Sequence, residues 1–385
     1  MIYPFLIVSA SSSLVSEAFN SANQILRHVL VWGVAVCAVI EHRSVFSNRT
    51  IFICGGLAFL ASGLAGFIWF SKTTFGAQKS ILSLYNAFEP VAVILCAAGL
   101  SLAMSRRSHL LYFSISLLFW IATFGAIHVL NGFELHTGIY GRLRWTFGFV
   151  HPGKAAQLVA IALLGMIVIR SSRHSFKSPL LFFVFMIISG AIIILTNTRA
   201  MIVVYVISLA YLIGERVRSS QKKPLLLAFV FIFCASAAFL FFGLDKEARH
   251  FLLSGRIAWL LLSVGLNFGS GGVGPIFWGV FDEPVGNHIY VMDNMDSGAN
   301  PFRVDNGYLE TVTQHGLIVL VLLISVLVVL ARASTKRDFR SATMVAILAF
   351  FLAGEAGLFA VGNFFGLVIT TLAMLALRAP RYQPS

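Results

Sequence analysis

Long apolar runs, each closed by a short cluster of glycine, proline or charge, repeat from one end of the chain to the other. Their alternation is neither the strict in-out period of strands nor the one-sided stripe of soluble helices, and several are long enough to cross roughly 30 Å of hydrocarbon as helices. The pattern predicts twelve spans, at 2–18, 24–41, 51–70, 81–104, 109–130, 153–170, 179–195, 200–214, 224–242, 306–331, 342–357 and 361–377. The apolar run Ile2 to Val8 has no basic region ahead of it and no cleavage site behind it, so it is read as part of an uncleaved first span. FLLSGRIAWLLLSVGL, 251–266, has the length for a further span. Counting it would invert everything downstream, so it is read as an amphipathic segment lying in the outer interface. The expected architecture is an all-α polytopic membrane protein, one transmembrane domain over residues 1–385. Two segments lie outside its spans, an outer loop at 131–152 and a long periplasmic loop at 243–305.

Composition narrows the class. Hydrophobic residues make up 58% of the chain, charged residues 11%, and the mean hydropathy is +0.88, which excludes an ordinary soluble domain. The cysteines Cys37, Cys54, Cys96 and Cys234 all fall inside apolar runs and read as core filler rather than a disulfide or zinc framework. The connections on one side of the twelve spans hold seventeen of the 28 lysines and arginines but only three of the 15 acids, Glu41, Glu215 and Asp338. By the positive-inside rule that side is cytoplasmic, together with both termini. Topology and anionic lipid headgroups account for the net charge of +13, and no nucleic-acid partner is implied.

Chemistry is therefore expected outside, where four constellations stand. GRLRWTFGFVHPGK carries Arg142, Arg144, His151 and Lys154 in a segment broken by Gly141, Gly148, Pro152 and Gly153, so it is not a plain helix. TNTRA places Arg199 between two short apolar runs. If Thr196 or Thr198 caps the next helix, Arg199 falls in its first turn, where the dipole disfavours a cation and an anion is expected nearby. That anion is a ligand or a structural partner such as Glu89 or Glu355. SGRIAW sets Arg256 in the interfacial segment, ahead of GSGGVGP at 269–275, which lacks the lysine of a phosphate-binding loop. RVDNGYLETVTQHG opens the tenth span with Arg303, Asp305, Asn306, Glu310 and His315. Asp305 or Asn306 either caps that helix or, in the carboxylate's case, stands as a general base at the mouth of a basic cavity.

In this order the four segments resemble the Wzy-type O-antigen and capsular polysaccharide polymerases. RLRWTFGFVHP is similar to their R-x-x-x-F-G-F-x-H-P-N, TNTRA to T-x-S-R, LLSGRIAW to L-S-G-R-I, and VDNGYLETVTQHG to D-N-x-Y-L-x-x-x-x-x-x-G. Gly153 stands where the pattern has Asn, and Asp305 where the related O-antigen ligases carry His. The resemblance implies a GT-C-like glycosyltransferase of the bacterial inner membrane, active at the periplasmic face without a metal or other cofactor. Its donor and acceptor would be undecaprenyl-diphosphate-linked oligosaccharides, with a chain-length regulator and a flippase as partners. Asp305, Arg256 and Arg199 would then be catalytic, and Arg142, Arg144, His151, Lys154, Arg303, Asn306 and Glu310 would bind substrate.

Two alternatives carry different chemistry. An O-antigen ligase would transfer finished polymer to lipid A-core through the same arginines, whereas an anion or solute transporter would draw on Glu89 and Glu355, acids written inside apolar runs. Asp293 and Asp296, with Asp282 and Glu283 nearby, could hold a divalent cation, and a solvated loop cluster is the simpler account of them.

Overall fold

The structure is a computed structural model that describes residues 28–37, 39–40, 48–73, 81–104, 107–132, 134–139, 142–149, 152–170, 179–216, 307–337, 339–352, 359 and 364–378. These form α1 (His28–Cys37), α2 (Arg49–Thr73), α3 (Ile81–Ala103) and α4 (Arg107–Leu130), then β1 (His136–Ile139) and β2 (Arg142–Trp145). They continue with α5 (Pro152–Arg170), α6 (Pro179–Leu195), α7 (Arg199–Arg216), α8 (Gly307–Arg337), α9 (Phe339–Leu352) and α10 (Phe364–Arg378). The helices coincide with expected spans to within about four residues except at one place: α8 runs on to Arg337 and α9 starts at Phe339, so the expected connection 332–341 is largely helical. The expected spans 2–18 and 224–242, and the segment 251–266, lie outside the described residues.

Local chemistry sets the ends. Asn48 caps α2, its Oδ1 accepting from the Thr50 amide at 3.0 Å. Proline opens α5 and α6, where its missing N–H costs nothing and its fixed φ suits the first turn. Gly132, at φ 78, ends α4 as a left-handed C-terminal residue.

Segments long and apolar enough to cross a membrane run over Arg49–Ile68, Leu110–Leu130 and His315–Ser334, with shorter apolar helices around them. Large side chains face outward: Phe52, Phe59, Phe67 and Phe70 form a stripe along α2, and Val321, Ile324 and Val328 another along α8. The opposite face of α8, Val319, Leu323, Val326 and Leu330, is buried. This arrangement suits a hydrocarbon solvent, in which an exposed Phe is at no disadvantage.

The described part of α5 from Gly153 to Ile167 is almost wholly buried, and α10 is buried on every side from Phe365 to Leu377. These two helices touch each other and form the centre. Around them α2 packs on α3 and α8, α4 and α6 on α5, and α9 on α8 and α10. Small residues sit at the crossings, as expected where close van der Waals approach, not the hydrophobic effect, holds helices together. Gly66 lies under the Phe88 ring, Gly165 against Ser114, and Gly190 against the Tyr205 phenol, whose hydroxyl donates to the Met186 carbonyl at 3.1 Å.

Candidate functional site

The segment expected to be an irregular outer loop is a β-hairpin, so the chain is not purely helical. β1 and β2 are antiparallel, with His136 opposite Trp145, Thr137 opposite Arg144 and Ile139 opposite Arg142. Positions 142 and 144 are two apart and share one face of the hairpin. Glu134 and His136 pair at its base, at 3.2 Å.

A tight corner clamps the hairpin to α4. Thr146 donates both its amide (2.7 Å) and its hydroxyl (3.2 Å) to the Leu135 carbonyl, and the Phe149 amide closes the turn on the Thr146 carbonyl at 3.0 Å. Both central residues are left-handed, Phe147 at φ 52 and Gly148 at φ 82, as a type I′ turn requires. A phenylalanine in that region is held at a cost of about 1–3 kcal/mol, so its surroundings must over-determine it. They do so through packing: Phe149 meets Phe124 edge-on at 5.6 Å, Phe124 stacks on Trp120 at 5.4 Å, and Trp145 lies 5.8 Å from Phe147. Gly148 approaches so closely that an added Cβ would stand 2.7 Å from the Phe124 carbonyl oxygen. The FGF of the sequence motif is thus the anchor, and the arginines flank it. Arg144 is half-buried, and Lys154 follows in the first turn of α5.

The TNTR turn is equally defined. α6 ends as Thr196 donates its hydroxyl to the Ile193 carbonyl at 2.8 Å, and Asn197 takes φ 50. The Thr198 carbonyl then accepts from the Met201 and Ile202 amides, both at 3.0 Å, so α7 begins with Arg199 as its first residue. Arg199 therefore occupies the expected first turn. The capping differs from the expectation: the Thr196 hydroxyl closes the preceding helix, and the Thr198 hydroxyl donates back to the Thr196 carbonyl at 3.4 Å.

The fourth constellation begins α8, and Glu310 lies within it. Sequence reading expects a continuous span here, but Gly316 (φ 84, ψ 170) breaks the helix into two. Thr311 and His315 are buried in the first piece, and the Tyr308 hydroxyl donates to the Ala349 carbonyl of α9 at 2.9 Å. The glycine set between His315 and Leu317 is the signal that could have revealed this break.

Asp305, Asn306, Arg303, Arg256 and His151 lie outside the described residues, as do Glu355 and the acids Asp282, Glu283, Asp293 and Asp296. The sequence offers Glu89 as a structural partner for Arg199 and, in the transporter alternative, as one of two acids within apolar runs. In the structure its Oε1 is 3.8 Å from His28 Nε2, which joins α3 to α1. Next to it Pro90 interrupts the α3 ladder, and the buried Ser62 hydroxyl of α2 accepts from the Val91 amide at 3.3 Å. Cys54 and Cys96 are buried free thiols, whereas Cys37 is exposed. Compared with family models, curated proteins and solved structures, the chain matches none.

Proposed function

We propose that the protein is a glycosyltransferase acting at the outer face of the bacterial inner membrane, a polymerase that joins oligosaccharides carried on undecaprenyl diphosphate. The observation that carries this reading is the hairpin clamped to α4, which sets positions 142 and 144 on one face between two helices of the bundle. If successive spans alternate in direction, as the expected topology has it, α4, α5, α6 and α7 would bring this hairpin and the turn opening α7 with Arg199 to one end of the bundle. Three arginines from two separate turns suit a diphosphate, which guanidinium groups bind by paired, charge-assisted hydrogen bonds.

In the reaction the acceptor hydroxyl oxygen bonds to the anomeric carbon of the donor sugar, and the bond from that carbon to the diphosphate oxygen breaks. The leaving diphosphate keeps the electron pair. Arg199 and Arg256 offset its growing charge, Arg142 and Arg144 hold the polar head, and Asp305 takes the hydroxyl proton. Lys154, His151, Arg303, Asn306 and Glu310 complete the substrate surface, and the chemistry assigned to these side chains requires no metal ion.

The test is deletion of the gene followed by separation of surface polysaccharide on a gel. Single-repeat caps on lipid core are the expected result. Undecorated core with accumulated long lipid-linked polymer would identify a ligase instead. Normal polysaccharide together with loss of a solute flux would favour the transporter reading, which the buried Glu89–His28 pair supports.

A further inference from the structure

We infer that Glu89 and His28 form a proton-binding site inside the helix bundle. Glu89 is followed in α3 by the buried run Val91, Ala92, Val93 and Ile94, and is itself 8% exposed. Its Oε1 lies 3.8 Å from Nε2 of His28, whose side chain is 19% exposed. Trp32 and Ala35 continue the His28 face of α1 at helical spacing, and both pack on the apolar core. An ionised carboxylate is costly in such surroundings, and acids inside apolar spans are rare. Where they occur they serve ion and proton pathways or act as counter-ions. Neither residue is assigned to sugar transfer, so this site and the transferase reading stand or fall separately.

The identity of the partner selects the ligand. An arginine or lysine would hold its charge permanently, whereas imidazole attracts a carboxylate only while it carries a proton. Holding one proton, the pair is neutral in either arrangement, carboxylate with imidazolium or carboxylic acid with imidazole. A second proton taken from water adds a positive charge, and release of the first to water leaves a negative one, so the two side chains titrate as one unit. At 3.8 Å the Nε2–Oε1 contact is longer than a hydrogen bond, so its attraction is one of charge and depends on that proton. The backbone beside the acid is polar too. Pro90 has no amide to offer the carbonyl four residues back, and the Val91 amide donates to the Ser62 hydroxyl of α2 at 3.3 Å. Among the described side chains, the helices packed on α3 bring no other titratable group to this level. Ser62 and Gly66 of α2 meet Val91 and Phe88, which sets Cys54 and Arg49 about 12 and 20 Å from Ser62 along α2, at ~1.5 Å per residue. Cys96 is about 10 Å from Glu89 along α3 and Cys37 about 14 Å from His28 along α1. In α10 the stretch from Phe365 to Leu377 has no titratable residue.

The experiment is infrared spectroscopy of the full chain in lipid nanodiscs, recorded as difference spectra between about pH 9 and about pH 4. The parent is expected to gain the C=O stretch of one more carboxylic acid than Glu89→Gln does, and the midpoint of that band is expected to move in His28→Gln. Identical spectra from the parent and Glu89→Gln, or an unmoved midpoint in His28→Gln, would overturn the site and leave a fixed structural contact. Should a variant fail to fold, the parent alone decides through dicyclohexylcarbodiimide, an apolar reagent that adds to a protonated carboxyl and not to a carboxylate. Modification of Glu89, mapped by mass spectrometry, is expected to slow about tenfold over roughly two pH units centred on its midpoint. No modification of Glu89 at any pH, or a rate that does not change with pH, would equally overturn the site.

Discussion

At the crossing of α4 and α5, adding one methyl group should destabilise the protein, and removing one oxygen from the facing helix should restore it. Gly165 lies so close to Ser114 that a Cβ there would overlap the serine oxygen, while its other neighbours, Leu110 Cδ1 at 3.6 Å and Ser114 Cβ at 3.7 Å, are at ordinary contact. Ser114 Oγ is itself buried with no hydrogen-bond partner among the described residues. Gly165→Ala alone forces the hydroxyl to a poorer rotamer or spreads the helices, an overpacking cost of about 1–3 kcal/mol. Against it stands the better helix propensity of alanine, about 1 kcal/mol. The net is a loss of roughly 0–2 kcal/mol. In Gly165→Ala/Ser114→Ala the overlapping atom is gone and every remaining contact is ordinary. The propensity gain persists, and an unsatisfied buried hydroxyl worth about 1–3 kcal/mol has been removed. The double variant should therefore be at least as stable as the parent, and Ser114→Ala alone should be neutral or stabilising. Thermal unfolding midpoints of the four proteins, purified in one detergent, complete the cycle. A double variant no more stable than Gly165→Ala would refute the reasoning, because it would mean that the serine oxygen is not what the methyl group meets.

Gly148→Ala should be worse than any helix-crossing change, since its φ of 82 and a backbone carbonyl 2.7 Å from the new Cβ leave nothing that can move; loss of folded yield on size-exclusion chromatography checks this. For Gly190→Ala, whose methyl would sit 2.5 Å from the Tyr205 hydroxyl, the same thermal assay should show destabilisation of about 1–3 kcal/mol. Arg199→Lys and Arg256→Lys should each lower turnover about ten- to a hundredfold, as a point charge replaces a two-pronged donor worth roughly 1.5–3 kcal/mol; near-normal polymer from well-expressed variants would show that these arginines only anchor the protein at headgroups. Asp305→Asn should abolish most turnover if the carboxylate is the base, yet stay nearly silent if the residue merely caps a helix, because Asn caps as well as Asp. For sidedness, cysteines at Ser219 and Arg332 should resist an impermeant thiol reagent in intact cells while one at Ser297 reacts; Arg332 suits the test because it is exposed.

What the chain alone determines here is whatever depends on transfer from water to hydrocarbon and on backbone stereochemistry. Runs of apolar residues long enough to satisfy their own hydrogen bonds become helices wherever they sit, so the ends of α2 through α7 could be read from glycine, proline and charge to within a few residues. The first-turn place of Arg199 was legible for the same reason, since the TNT turn is local chemistry. Contacts between distant segments were not legible. No periodicity in GRLRWTFGFVHP separates a loop from a hairpin, because its register depends on Phe149 finding Phe124 on the helix before it. Glu89 reads as an isolated intramembrane acid until α1 brings His28 within 3.8 Å. The run through Gly316 reads as one helix, since glycine is tolerated within helices and only the tyrosine's reach to α9 demands that it turn there. In each case the deciding free energy lies between residues far apart in sequence, and tertiary packing alone brings them together.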